Sequence, residues 1–426
     1  MALAILLISL GAFLALGVPV AFALFAASAL TFIVLDVAPI IAVQQLASGI
    51  NAFTLMAIPF FVFAGDLMYR AGIAARLVRV ADAALGRATG GLGQVNVGTS
   101  MLFGAVSGSA VASVSALGST LIPMMEEKGY DRDYAVNTTC AAAILGLIIP
   151  PSHNMIIYAA SSGIGVSIGD LFLAGVLPGV AASVLLGLTA WLVARKRNYP
   201  KGAFPGWRAF FSAALAAVPG LLTALIIVVG IIGGVFTPTE SAAVAVGYTI
   251  LVAFFGYRSL GAEGFGLAVA GAVRTTAMVM LIIGSAAAFG WLLALLEGPM
   301  KLAALVGAVT NEPALILLIV IISLLILGAF MDMAPLIIIT TPIFLPLVTA
   351  FGMDPVHFGI VLMLALGIGL VTPPVGSVLF VGSAIGKIKI EETIKTIWPF
   401  YLALIAALLL TAYVPALSLT LPGMLK

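Results

Sequence analysis

Apolar runs of roughly 15 to 30 residues follow one another from Met1 to the end of the chain, each long enough to approach or cross a hydrocarbon core of about 30 Å. Inside lipid every backbone N–H and C=O needs a partner within the protein, so only helices or closed barrels can cross. A barrel alternates polar and apolar residues in short strands; these runs are uniformly apolar and therefore helical. Composition agrees. Of 426 residues, 63% are hydrophobic and 8% charged, against roughly 25% charged in a soluble chain. No stretch reads as a soluble domain, and the net charge of +2 gives nucleic acid no footing. The partner of this surface is membrane lipid. The N-terminal run lacks a basic leader, so it is expected as a first helix rather than a cleaved signal. Cys140, alone in an apolar run, excludes an intrachain disulfide and speaks against a thiolate metal site.

Two of the runs are interrupted by the residue a helix tolerates least. "GLIIPPSHN" occupies 146–154 and "GLVTPPVGS" occupies 369–377. A shift of 223 residues superposes Gly146 on Gly369 and Pro150-Pro151 on Pro373-Pro374, and also brings Pro123 onto Pro346, Gly129 onto Gly352 and Asp131 onto Asp354. "FGAVSGSA" (103–110) faces "LGAFMDMA" (327–334) with a one-residue slip. An ordered set of matches at one offset marks an internal duplication.

Positive charge orients it. Short cytoplasmic loops carry the Lys and Arg, and "RKRNYPKGAFPGWR" (195–208) holds five basic residues and no acid. This linker is expected inside, dividing the chain into repeats 1–208 and 209–426. In the first, 2–35 forms two short crossings turning at Gly17-Val18-Pro19, and 36–52 and 53–69 precede a basic segment 70–87. A hairpin over 91–125 then enters from inside with its tip at Ser107-Gly108-Ser109. The broken helix 133–162 and the run 173–194 return the chain to the linker. In the second repeat, 209–232, 238–256 and 275–296 precede a hairpin over 313–350 that enters from outside. The second Pro-Pro segment and 398–420 follow. Every Lys and Arg except Lys301 and Lys426 then lies inside, both termini lie outside, and ten crossings accompany two hairpins. The repeats are inverted. Scaffold helices are expected over 2–56 and 209–256, and transport parts over 91–172 and 313–385.

Inverted repeats with helices broken at mid-membrane are the architecture of secondary transporters. A Pro-Pro pair removes two backbone donors and frees carbonyls, which are tolerated at membrane depth where they line a cavity or hold an ion. Hydroxyls crowd the same places: Ser107, Ser109, Ser113 and Ser115 beside the first tip. Hydroxyl and carbonyl oxygens are hard donors suited to Na⁺. At the second tip stands Asp332, an intramembrane carboxylate and so a candidate functional group, or else a helix N-cap. Thr340 and Thr341 follow it. Helix N-termini at the tips would present positive dipole ends to an anion. Gly108, Pro151, Ser152, Thr341, Pro374 and Ser377, at the tips and breaks, are the candidate substrate contacts.

With these motifs in order, the chain resembles the large membrane subunit of a TRAP (tripartite ATP-independent periplasmic) transporter. The resemblance rests on "AIPFFVFAGDLM" (57–68), "SGSAVAS" (107–113), "LIIPPS" (147–152), "GVFTPTESAAVA" (234–245), "DMAPLIIITTP" (332–342) and "GLVTPPVGSVL" (369–379). It implies an all-helical, elevator-type symporter of the ion-transporter superfamily in the bacterial inner membrane, driven by Na⁺. It implies a small four-helix membrane subunit and a soluble periplasmic binding protein that delivers an organic anion. No further helices precede Met1, so the small subunit is expected as a separate chain. Carried over residue by residue, one Na⁺ site falls on Ser107, Ser109, the carbonyls around Pro150, and Asn154, and the second on Gly328, Asp332, Thr372, Pro373 and Gly376. The chain departs from the family pattern at Ser113, where Asp is common, at Ser377 in place of Asn, and at Leu336 in place of Thr. Ser113 bears on the charge of the first site and on how many ions it holds.

Other residues take lesser parts. His153, beside Asn154, is expected to line the cavity, with proton carriage as the alternative. His357 is expected in an outer loop, solvated. Glu240 and Asp66 are expected as helix-end caps or interface residues, with a coupling role as the alternative, and Arg274 as the cytoplasmic end of 275–296. There is no "GxxxxGK[ST]" to bind ATP, and neither "HExxH" nor "GxSxG" occurs, so an enzyme would lack its usual parts. A stand-alone Na⁺/dicarboxylate symporter or ion-coupled antiporter with the same hairpins is the remaining rival. Which anion is carried does not follow from the sequence.

Overall fold

A computed structural model describes residues 2–310 and 312–425; Met1 and Lys426, the latter placed outside by the charge count, lie beyond them. The described residues form helices joined by turns, apart from one bridge pair between Thr89 and Lys201. Among the described residues, seven helices are long and apolar enough to cross a membrane, or up to nine if each of two bent pairs is one span. This is a multi-pass membrane protein.

The opening run is two short helices, Ala2–Ala15 and Val20–Val34, separated by Gly17 at φ +77°. Each rises only about 21 to 23 Å. Pro39–Ile50 and Ala57–Arg70 follow. They pack, with Val20–Val34, against one very long helix, Ala262–Leu295. That helix corrects the expectation of a span over 275–296. Its first turns, "AEGFGLAVAGAV", contain no proline and are apolar enough to stay helical, so Arg274 sits near the middle of 34 continuous residues rather than at an end. The run expected over 398–420 also differs. It stops at Tyr413, and a separate helix, Ala416–Met424, begins after Pro415.

That last helix overturns the reading of His357. The imidazole is 2% exposed, held between the Ser418 hydroxyl at 2.5 Å and the Ala412 carbonyl at 3.2 Å. Asp354 accepts from the N–H groups of Val356 and His357 and starts a helix, Pro355–Gly369, at once. The imidazole is therefore carried into the packing of that helix with the chain's C-terminal segments. Glu240 behaves as expected: Thr237 and Glu240 form a reciprocal capping box at the start of Pro238–Leu251.

Helix boundaries recur at the offset that aligns the Pro-Pro pairs. Ala110–Glu127 and Met333–Ala350 begin and end 223 residues apart. Arg132 and Pro355 open their helices at the same distance. The expected one-residue slip between 103–110 and 327–334 is confined to the first arms of the two hairpins. Gly104 and Gly328 are offset by 224, whereas Ser109 and Asp332, which open the second arms, are offset by 223.

Packing then interleaves the chain. His153–Ser161, which follows the first Pro-Pro pair, lies against Met333–Ala350; Ser377–Gly386, which follows the second, lies against Ala110–Glu127. Cys140 finds its role here, buried against Gly382, where an added Cβ would come within 2.2 Å of the sulfur. The long helix Ile168–Lys196 passes behind the first break, and Gly175 leaves room for the Ile148 carbonyl, 2.1 Å from where a Cβ would stand. At the linker, Arg197 grips the Asp133 carboxylate with two nitrogens at 2.8 Å each and Asp131 at 2.9 Å. Burial and the Asp131 acceptor push the Tyr199 phenol up to about 12, so it remains a donor to that carboxylate.

Candidate functional site

The first hairpin, with arms Gly91–Ser107 and Ala110–Glu127, turns where small and hydroxyl residues allow it. Gly108 sits at φ +61°, a conformation an L side chain resists, and its N–H returns to the Gly104 carbonyl at 3.0 Å. The Ser109 hydroxyl accepts from the Ala112 N–H at 3.3 Å and caps the second arm. The Ser107 and Ser113 hydroxyls are 3.0 Å apart, and that of Ser113 donates to the Ser109 carbonyl at 2.8 Å. From the broken helix, Asn154 donates its amide to the Gly108 carbonyl at 3.1 Å. Gly146 closes the group, since a Cβ there would stand 3.3 Å from the Ser113 oxygen. Ser107, Gly108, Ser109 and Ser113 thus form one cluster of hard oxygens, with the Asn154 amide donating into it. Pro150 and Pro151, joined by a cis bond, are buried in the break just ahead of it. Ser152 is buried with its hydroxyl unpaired among the described residues.

At the second hairpin, arms Pro313–Phe330 and Met333–Ala350, the arrangement is largely backbone. Gly328 crosses Gly369 so closely that a Cβ on Gly369 would lie 2.4 Å from the Gly328 Cα. The Ala329 carbonyl accepts from Val375 N–H at 3.0 Å and Gly376 N–H at 3.4 Å. Thr372 donates its hydroxyl to the Ile368 carbonyl at 2.7 Å. Gly328, Thr372, Pro373 and Gly376 are therefore brought together around one loop. Pro374, cis to Pro373, is exposed, and the Ser377 hydroxyl is buried and unpaired among the described residues.

Asp332 and Thr341 part company with that loop. Asp332 occupies the N-cap position of its helix, but its carboxylate makes no cap bond. Among the described residues it has no hydrogen-bond or ion-pair partner, and it is exposed. Thr341 lies more than two turns further on, buried, with its hydroxyl given to the Ile337 carbonyl at 2.5 Å. The helical period turns it toward packed neighbours and away from the tip where sequence reasoning put it.

Between the tips lies a cavity of about 550 Å³. Ser107, Ser109, His153 and Asn154 line it from one side and Asp332 with Leu370 from the other. Both tips therefore face one space, and His153 is a lining residue as expected. The remaining walls come from Ala57–Arg70 and Ala262–Leu295, through Asp66, Tyr69, Arg70, Gly271 and Thr275. The sequence reading had put Arg70 in a basic cytoplasmic segment and made no site residue of Tyr69 or Thr275. The available signal was the i,i+4 spacing of Asp66 and Arg70, which sets both on one helix face.

Residues 7–417 match the family model for the tripartite ATP-independent periplasmic transporter, DctM component. The chain belongs to that family. The chain is 36% identical over 405 residues to the 2,3-diketo-L-gulonate TRAP transporter large permease protein YiaN of Escherichia coli, covering 95% of each. It is 40% identical over 373 residues to the C4-dicarboxylate TRAP transporter large permease protein DctM of Pseudomonas aeruginosa, covering 88% of this chain and 87% of that one. Its fold resembles the crystal structure of the Alcanivorax borkumensis YdaH transporter, with a TM-score of 0.58 and 16% identity over 87% of this chain and 86% of the other. As a DctM-type large permease the chain serves secondary solute uptake and is not an enzyme.

Proposed function

We propose that this chain is the transporting subunit of a Na⁺-driven importer of a small organic anion, a C4-dicarboxylate or a sugar acid, in a bacterial inner membrane. A small membrane subunit braces it, and a soluble periplasmic protein delivers the anion. The observation that carries the reading is the single cavity into which both hairpin tips open, with serine oxygens and the Asn154 amide at one and the uncommitted Asp332 carboxylate at the other. Hard oxygens suit Na⁺, and the ion travels as cargo. The recurrence of helix boundaries at 223 residues and the basic linker support an inverted repeat, with the hairpins entering from opposite faces. In this reading the hairpins and broken helices, 91–172 and 313–385, slide as one body past a scaffold of 2–56 and 209–256.

Reconstitution tests it. In proteoliposomes holding this chain and its small subunit, with the binding protein outside, labelled succinate or 2,3-diketo-L-gulonate is taken up when Na⁺ is high outside. Equal uptake with K⁺ replacing Na⁺ would overturn the coupling. Equal uptake by this chain without either partner would overturn the three-part assembly. A cysteine placed at Lys201 should react with an impermeant reagent only from the cytoplasmic side.

A further inference from the structure

Arg70 is the one Lys or Arg among the described residues that line the central cavity. A cation facing an internal cavity of a membrane protein is costly to keep and is a functional group by default. Its Nε donates to Asp66 Oδ2 at 3.2 Å, with the two side chains 28% and 23% exposed. The pair is neutral overall, and the single bond fixes the guanidinium along one edge. The other edge, carrying the two terminal nitrogens, has no partner among the described residues. Gly271 across the helix interface makes room for this arrangement, since a Cβ there would stand 2.9 Å from Asp66 Oδ2.

A guanidinium has two hydrogen-bonding edges, and the fork formed by its terminal nitrogens matches a carboxylate with two parallel bonds. The serine oxygens suit a cation; their hydroxyls can also donate to an anion but, being neutral, do not balance its charge. Asp332 and Asp66 are themselves acids. A carboxylate entering this space finds neutral hydroxyl and amide donors but, among the described residues, one side chain of opposite charge, Arg70. We propose that Arg70 binds the carboxylate of the transported anion through its free edge, and that Asp66 is a positioning residue that holds the guanidinium for it. This rests on the reading that the cargo is an organic anion. It adds a recognition group on the wall facing the first hairpin tip, so that the anion is gripped between the tip and Ala57–Arg70.

The experiment uses the reconstituted permease with both partners. Uptake of labelled succinate and of 2,3-diketo-L-gulonate is measured for wild type, Arg70→Lys and Arg70→Gln. In parallel, modification of Arg70 by phenylglyoxal is followed by mass spectrometry in the unmutated protein, with and without each anion. The expected result is a KM raised about tenfold or more in Arg70→Gln, with kcat changed by less than about threefold and an unaltered Na⁺ midpoint. Arg70→Lys, which keeps the charge and loses the fork, should fall between. Either anion should slow labelling of Arg70 and leave Arg132 unaffected. An unchanged KM in Arg70→Gln, or labelling of Arg70 that neither anion slows, overturns the assignment while the organic-anion reading stands. Uptake of glucose and of neither anion by wild type overturns that reading itself.

Discussion

Alanine at Gly369 should abolish uptake, and alanine at Gly104 should do nearly the same. The Cβ of Gly369→Ala would stand 2.4 Å from two backbone atoms of Gly328, and that of Gly104→Ala 2.5 Å from the Gly146 Cα. Neither obstacle is a flexible side chain. Small residues let helices cross backbone to backbone within a membrane, and here the crossings seat each hairpin arm on its own broken helix. Overpacking in a core costs roughly 1 to 3 kcal/mol when neighbouring side chains can yield; backbone that is itself hydrogen-bonded yields less. Gly247→Ala supplies the control, because nothing lies within 4 Å of an added Cβ and alanine favours a helix over glycine. Uptake and thermal unfolding in detergent are measured for all three. Wild-type uptake by Gly369→Ala would mean that the hairpin need not seat at that crossing.

Asp332→Asn should lose uptake at physiological Na⁺ and recover part of it at high Na⁺, with the protein still inserted. Asparagine keeps the size and one acceptor oxygen and removes the charge. At 4 Å a carboxylate attracts a monovalent cation by about 1 kcal/mol in bulk water and about 4 kcal/mol at an effective dielectric of 20. An exposed carboxylate in a wet cavity lies between, and the middle of that interval corresponds to a Na⁺ midpoint displaced on the order of tenfold or more. The capping alternative is weakened by geometry. Ser109, the counterpart at the first tip, spends its side chain on the Ala112 N–H, whereas Asp332 spends its carboxylate on no such bond. Ser113→Ala should be milder, since it deletes one hydroxyl from a cluster that keeps Ser107 and the Ser109 carbonyl. An unchanged Na⁺ midpoint in Asp332→Asn would remove the acid from the ion pathway.

Much of this was legible in the residues. Gly17 and Pro19 announce the first turn, and Ser107-Gly108-Ser109 the first tip, because glycine, proline and hydroxyl residues act through their own backbone and need no distant partner. The grouping of Ser107, Ser109 and Ser113 followed from those local signals, whereas Asn154 came in only through the family resemblance. His357 was misread because its burial depends on chain segments more than fifty residues downstream. Arg274 was misread because a lone charge resembles a helix end when the helix continues through it. Thr341 looked close to Asp332 along the chain, yet more than two helical turns separate it from the tip. Arg70 and Asp66 stayed hidden for a different reason. Their shared face was visible, but what that face looks onto is decided by Ala262–Leu295 and the two hairpins, which come later in the chain.

The interleaved packing has a consequence for how such a chain is made. The second arm of the first hairpin ends at Glu127, and the helix that covers it begins at Ser377. A ribosome adding about 5 to 20 residues per second needs on the order of 10 to 50 seconds to cross that interval. Throughout it the face of Ala110–Glu127 that Ser377–Gly386 covers is without that neighbour, although Trp207–Ile232 reaches the first arm, Gly91–Ser107, earlier. That face stays uncovered until residues 377–386 emerge. A ribosomal pause within 128–376 would lengthen the exposure and favour degradation over assembly.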